Sequence, residues 1–298
     1  MLEVRQLSHS YGDRKVLDDV SFDVAAGRLT GFVGANGAGK TTAMRAILGL
    51  IRPDAGEVLV DGRPITPADR TGIGYMPEER GLYPKMRVRE QIVYFGELHG
   101  VPKQVAARRA DDLLERVDLH ERANDKVEDL SLGNQQRAQI CVALVHEPRI
   151  LILDEPFSGL DPIAVEAVLE VLRERAAAGA PVLFSSHQLE VVEKLSDELV
   201  IISHGRIVAA GGRRELQEQH SRGLYRFGVD DPSALLVEPD VREAKRDADG
   251  VVVAIDASDD AAAEARAQQL LRAELDRGPV RGFARELVPL TTIFKEVR

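Results

Sequence analysis

Four short stretches carry residue types that can do chemistry together. "GANGAGKT" sets Gly34, Gly39, Lys40 and Thr41 in the pattern G-x-x-x-x-G-K-[ST], with Asn36, Gly37 and Ala38 between them. Glycines let a backbone wrap closely and turn its N–H groups inward, which makes an anion-binding nest at a helix N-terminus. Lys40 would reach the β- and γ-phosphates of a nucleotide, the Thr41 hydroxyl would ligate Mg²⁺, and Thr42 would meet the α-phosphate. Downstream, "ILILDEP" ends a buried strand in Asp154 and Glu155. Beside a phosphate loop, a strand-end Asp holds Mg²⁺, and the next carboxylate polarises an attacking water. The pair predicts hydrolysis of a nucleoside triphosphate and not binding alone. "LSLGNQQR" sets Ser131 and Gly133 ahead of a helix: it is either a loop before a helix and nothing more, or half of a nucleotide site with hydroxyl, amides and helix dipole aimed at an anion. "SSHQ" sets His187 at the C-terminal end of a strand, where α/β sheets bind ligands. Tyr11, in a turn between two strands, either packs there or stacks on a base.

Positioning these groups requires a sheet. "LEVRQLSHS" and "VLDDVSFDV" alternate apolar and polar residues, a hairpin pattern around Tyr11 and Gly12. "RLTGFVG" is a short strand running into the glycine loop, "TTAMRAILGLI" reads as the helix after it, and "GEVLVDG" returns to strand character. From about residue 86 to 147 the pattern is helical, and "RILILDE" and "PVLFSS" are strands separated by the helical "PIAVEAVLEVLRERAAAG". Strand, crossover helix and buried strand in succession imply a mostly parallel, helix-covered sheet. Near residue 215 the composition shifts: "GGRRELQEQHSRG" is a polar linker or a last helix. Beyond it, "LYRFGV", "VREAKRDA" and "VVVAIDA" read as strands and "DDAAAEARAQQLLRAELDRG" as a helix. Residues 219–298 are thus expected to form a small α+β domain.

Composition narrows the function. With 44% hydrophobic and 30% charged residues, the chain is that of a globular protein. No apolar run approaches the ~20 residues of a membrane helix, and the start "MLEVRQLSHS" lacks the basic and apolar segments of a signal peptide. A single cysteine, Cys141, excludes an internal disulfide and a zinc cluster and fits a reducing cytosol. Inside a helix, it reads as a buried apolar residue rather than a nucleophile. The net charge of −10 argues against general nucleic-acid binding. His9, His99, His120, His146, His204 and His220 show no metal-like spacing and read as surface or structural, and the charges of "RRADDLLER" read as a solvated helix face.

The order of phosphate loop, "LSLGNQQR", "ILILDEPFSGLD" and "SSHQ" resembles the nucleotide-binding subunits of ABC transporters over roughly residues 1–215. The resemblance implies an α/β P-loop ATPase domain with a mostly parallel sheet core, an antiparallel β subdomain and a helical subdomain. The domain would span 1–218, with the helical part at about 86–147. Tyr11 matches the aromatic that stacks on adenine, 34–42 the phosphate loop, and 130–134 the L-S-G-G-Q signature. Ser158 to Asp161 match the loop that crosses a dimer interface, and His187 the switch histidine near the γ-phosphate. In such a family two domains meet head to tail, and each signature caps the ATP on its partner's phosphate loop. Leu132 stands where the family has glycine, Asn134 where it has glutamine, and Glu78 of "PEERGLYP" where a glutamine touches Mg²⁺ and the attacking water. Both of those stretches resemble an exporter branch associated with sodium or drug efflux. That branch also carries a small C-terminal domain, whose end the closing "LTTIFKEV" resembles. The resemblance further implies ATP and Mg²⁺ as cofactors, an integral membrane permease as partner, a homodimer or heterodimer of ATP-binding subunits, and a peripheral place on the cytoplasmic face of the membrane without insertion. A soluble ATPase of the same type acting on ribosomes or DNA is the alternative. Related soluble proteins carry two such domains or a long coiled coil, whereas this chain has one motif set and no sustained heptads.

Overall fold

The structure is a computed structural model that describes residues 1–79 and 81–289 and not the side chains of Leu189, Glu190 and His220; the "LTTIFKEV" resemblance and the reading of His220 lie outside what it describes. The chain divides into two compact units, one spanning Met1–Arg213 and one beginning at Arg214.

In the first unit, β1 (Leu2–Tyr11) and β2 (Arg14–Val24) form the expected hairpin, closed by the pair Tyr11 and Arg14. Strand β3 (Leu29–Val33) is buried throughout and feeds the glycine loop and helix α1 (Lys40–Leu48). The helix stops short of the expected Ile51 because Gly49, at φ 71°, turns its N–H and that of Leu50 back onto the carbonyls of Ala46 and Arg45. Next come β4 (Ala55–Val60), β5 (Arg63–Pro64), the short α2 (Pro67–Arg70) and β6 (Ile73–Met76). The helical stretch holds α3 (Val88–Leu98), α4 (Lys103–Arg116) and α5 (Leu132–Leu144). Then follow β7 (Ile150–Leu153), α6 (Pro162–Ala177), β8 (Val182–Ser186), α7 (Leu189–Leu195), β9 (Glu198–Ser203) and β10 (Arg206–Gly212).

Six strands make the central sheet, in the order β10-β9-β3-β8-β7-β6, parallel except at the β10 edge. Parallel strands present their C-terminal ends on one side. The glycine loop after β3, Asp154 after β7, His187 after β8 and Glu78 beyond β6 therefore emerge together. A second sheet, β2-β1-β4-β5, is antiparallel and packs Val4, Phe22 and Val58 into the same core as Phe32, Met44 and Ile152. The β9–β10 hairpin was missing from the pattern-based expectation. Its signal is the apolar run "LVII" followed by His204 and Gly205, both at positive φ, as a two-residue hairpin turn requires.

One expectation needs correction. The "RRADDLLER" charges do not form a purely solvated face. Arg109 pairs with Glu147 and donates to the Val145 carbonyl at 3.3 Å, while Arg116 pairs with Glu174 at 2.6 Å, so this face of α4 ties into α5 and α6. Among the histidines read as surface or structural, His99 and His146 stack with ring centroids 3.8 Å apart at 13°. Burial, the neighbouring His99 ring, Arg175 and Arg109 push His146 down to about 4 from an ordinary 6.5. The unfolded chain would bind that proton near pH 6.5, the folded chain only near 4. The neutral ring's contribution to stability is thus complete above about pH 6.5 and drains away as pH falls towards 4, by about 3 kcal/mol at most. Thermal melts across this range should show a steep acid limb that His146→Phe flattens.

The second unit begins inside α8 (Arg213–His220), which resolves the "linker or last helix" segment as helix. It continues with β11 (Leu224–Phe227), α9 (Ser233–Leu236), β12 (Val241–Asp247), β13 (Gly250–Ile255), α10 (Asp260–Arg277) and β14 (Phe283–Arg285). The sheet order β12-β13-β11-β14, all antiparallel, with the succession β-α-β-β-α-β, is a split βαβ arrangement. Tyr225, Phe227 and Val253 pack under Ala263, Ala267 and Leu270 of α10.

Candidate functional site

The glycine loop folds as its residue types require. Gly37 and Gly39 take φ 79° and 111°, and α1 starts at Lys40 with no side-chain cap, leaving its first N–H groups free for an anion. A side chain at Gly34 would stand 2.5 Å from the Ile202 carbonyl of β9, so only glycine lets the loop leave the sheet there. Lys40 is nearly buried, and its Nζ donates to the carbonyls of Gly34 at 2.7 Å and Ala35 at 3.3 Å. Burial lowers its pKa, while Glu155, Asp154 and Glu78 oppose that shift and keep a cation facing three carboxylates.

Asp154 is almost wholly buried at the end of β7. One of its oxygens accepts from Thr41 Oγ1 at 2.8 Å and the other from the Ser185 hydroxyl of β8. Glu155 sits at φ 52°, a left-handed conformation costly for a residue with a Cβ. Its N–H donates to Ser185 Oγ at 2.9 Å. His187 Nδ1 lies 3.0 Å from Glu155 Oε1, so the histidine meets the carboxylate directly. Lys40, Asp154 and Glu155 border an open cleft of about 470 Å³, within the range of small-ligand sites, whereas His187 reaches it only through Glu155 and is not part of its lining. Its lining includes Tyr11, Asn36, Gly37, Gly39, Lys40, Thr41, Thr42, Glu78, Asp154 and Glu155. Tyr11 is half exposed at its mouth and packs edge-on against His9, with centroids 4.7 Å apart. Gly34 and Ala38 belong to the loop without lining the cleft.

Ser131, Gly133 and Asp161 stand elsewhere. Ser131 caps α5, its hydroxyl accepting the Asn134 N–H at 3.3 Å. Gly133 lies against the neighbouring loop, where a Cβ would stand 3.0 Å from the Gly159 carbonyl. Leu132 is exposed. Asn134 accepts from Arg137 at 2.5 Å, and that arginine also donates to the carbonyls of Val117 and Asp118. Asp161 caps α6 through the Ala164 N–H at 2.9 Å. None of the three lines the cleft within one chain. Arg14 and Val16 do line it and were not anticipated; a basic residue three positions beyond Tyr11 was the available signal for Arg14. Cys141 is buried and its thiol is pushed up to about 12 by burial, which leaves no thiolate for chemistry.

Comparison with known proteins agrees with this geometry. The family described as "ABC transporter" matches residues 17–158. The chain is 39% identical over 297 residues to "Uncharacterized ABC transporter ATP-binding protein YhaQ" of Bacillus subtilis (strain 168), spanning 99% of this chain and 98% of the relative. It is 38% identical over 220 residues to "Nod factor export ATP-binding protein I" of Burkholderia lata, spanning 73% and 72%. Among solved structures, "Structure of ATP binding subunit of ABC transporter" is 34% identical, with a TM-score of 0.68 over 74% of this chain and 93% of that one.

Proposed function

The chain belongs to the ATP-binding proteins of ABC transporters and is an ATP-hydrolysing transporter subunit; from that premise we propose that two copies close head to tail on ATP and drive an integral membrane permease in export. The observation that carries this reading is the split of the site. Phosphate loop, Glu78, Asp154 and Glu155 converge on one cleft, while Ser131 and Gly133, the other anion-binding residues, stand outside it. Because each chain keeps both halves, a head-to-tail pair of copies makes two whole sites.

Each residue then has a task. Tyr11 stacks on the base, and the N–H groups of 34–42 with Lys40 and Thr42 cradle the phosphates. The hydroxyl of Thr41, held 2.8 Å from the Asp154 carboxylate, and Glu78 nearby are hard oxygen donors that suit Mg²⁺. Among the described residues no cluster of three or more His, Cys, Asp or Glu forms a cage. A cation held by one or two carboxylates plus substrate phosphates is how Mg²⁺ is usually bound. When bound, it would neutralise charge developing on the phosphates. Glu155 takes a proton from water as the water oxygen attacks the γ-phosphorus and the bond to the bridging oxygen breaks, releasing ADP. His187 holds the Glu155 carboxylate in line. Ser131 and Gly133 of the second copy close the γ-phosphate from the far side, and Asp161 lies on the loop that crosses between copies.

The permease would dock on the helical part. Tyr83 and Tyr94 are exposed there in a cluster with Phe95, beside a cleft of about 300 Å³ bordered by Arg87, Arg89 and Lys103. No helix among the described residues is long and apolar enough to cross a membrane; the peripheral place on the cytoplasmic face rests on the family reading alone. Export is supported by the resemblance to the Burkholderia lata relative named for it. The test is capture of tagged Glu155→Gln protein from detergent-solubilised host membranes with MgATP. Co-purification of a multi-span membrane protein is the expected result. Ribosomal proteins or DNA in its place would leave the ATPase chemistry intact and replace transport with the soluble alternative.

A further inference from the structure

Helix α5 does more than present Ser131. Gln136 and Gln139 lie one turn apart on one face of it and are buried, with 4% and 3% exposure. Gln136 Nε2 donates to the carbonyls of Glu155 at 2.9 Å and Pro156 at 3.1 Å. Gln139 Nε2 donates to the carbonyl of Pro77 at 2.9 Å, the residue just before Glu78. A single stiff element thus joins the Ser131 turn to the backbone at Glu155 and beside Glu78, two of the three acidic residues that face Lys40.

Glu155 needs such a hold. Its left-handed φ of 52° persists only where the surroundings over-determine it. The Ser185 hydroxyl fixes its N–H and Gln136 fixes its carbonyl, so the peptide units on both sides are set and the side chain is left to face the cleft and His187.

We propose that Gln136 and Gln139 are positioning residues that set Glu155 and Glu78 relative to the γ-phosphate and carry any displacement of the Ser131 turn to them. The inference rests on the ATPase reading above. In a head-to-tail dimer, Ser131 of one copy meets the nucleotide held by the other. Nucleotide at one site then adjusts the carboxylates of the second through α5, with only two amide contacts between.

A role confined to core packing predicts different behaviour. The experiment uses the full chain with Gln136→Met, Gln139→Met and both together, since methionine fills the volume without a donor. Steady-state MgATP hydrolysis gives kcat and KM separately, and thermal melts give stability. The expected result is a fall in kcat of about tenfold or more for each variant, because small misplacements of reacting groups are costly, with KM within about threefold of the parent. A lower Tm with unchanged kcat, or a raised KM with unchanged kcat, would overturn the proposal. Should circular dichroism show the methionine variants unfolded, Gln136→Asn and Gln139→Asn take their place, the amide kept but one methylene short, and are read the same way. An unmodified chain that hydrolyses ATP and loses that activity with Lys40→Ala keeps the ATPase reading whatever the glutamine variants do. A chain whose turnover ignores Lys40 removes that reading and the proposal with it.

Discussion

Replacing Glu155 with Gln should lower ATP turnover by about 100-fold or more, the usual contribution of a general base, while ATP still binds. The substitution keeps the shape of the side chain and removes the site for the water's proton. It leaves the backbone hold intact, since Ser185 and Gln136 grip the main chain of residue 155 and not its carboxylate. It also takes one negative charge away from the space the γ-phosphate would fill, where Asp154 and Glu78 remain. Hydrolysis therefore stops with the nucleotide in place. The consequence is visible in solution: the variant with MgATP should run as a stable dimer in light scattering, whereas the parent returns to monomer as ATP is spent. A turnover rate equal to that of the parent would remove Glu155 from its role.

Lys40→Ala should weaken binding itself. The ammonium is satisfied by the Gly34 and Ala35 carbonyls and has three carboxylates around it. Charge-assisted contacts of this kind contribute about 2–3 kcal/mol, hence roughly a 30- to 150-fold loss in ATP affinity. Turnover should fall further than affinity, because the same charge stabilises the γ-phosphate as it leaves. Calorimetric titration with a slowly hydrolysed ATP analogue measures the first effect and phosphate release the second. The glycines stay in place in this variant, so its fold should match that of the parent.

The parts of the site most readable from sequence are those written in local spacing. The glycine loop, Asp154 and Glu155 each sit at a strand end, and the parallel order of β3, β8, β7 and β6 brings those ends together as the crossover pattern implied. The place of His187 just past the end of β8 was readable for the same reason. What holds Glu155, and the backbone just before Glu78, was not. Ser185, Gln136 and Gln139 act on backbone groups 19 to 62 positions away, and polar side chains in a helix or strand give no periodic sign of a distant partner. The tie of Arg109 and Arg116 to neighbouring helices was hidden likewise, since a charged run reads as solvated until its partners are known. In the second unit, α9 and β14 are four and three residues long, too short for any period to show. The departures at Leu132 and Asn134 gain meaning only in the structure. Asn134 is engaged by Arg137 within its own helix, while Ser131 is exposed at the start of that helix and Gly133 packs against Gly159.

The central claim is that the ATP site is completed by a second copy, and mixing two inactive variants tests it most directly. Lys40→Ala removes the phosphate grip but keeps the Ser131 turn. Ser131→Glu keeps the grip and sets a carboxylate against the partner's γ-phosphate. Each alone should hydrolyse ATP at a small fraction of the parent rate. Mixed in equal amounts, random pairing makes half the dimers mixed, each with one intact site, so activity should recover to roughly a quarter of the parent. A mixture no more active than the sum of its two components, at every ratio, would contradict a shared site.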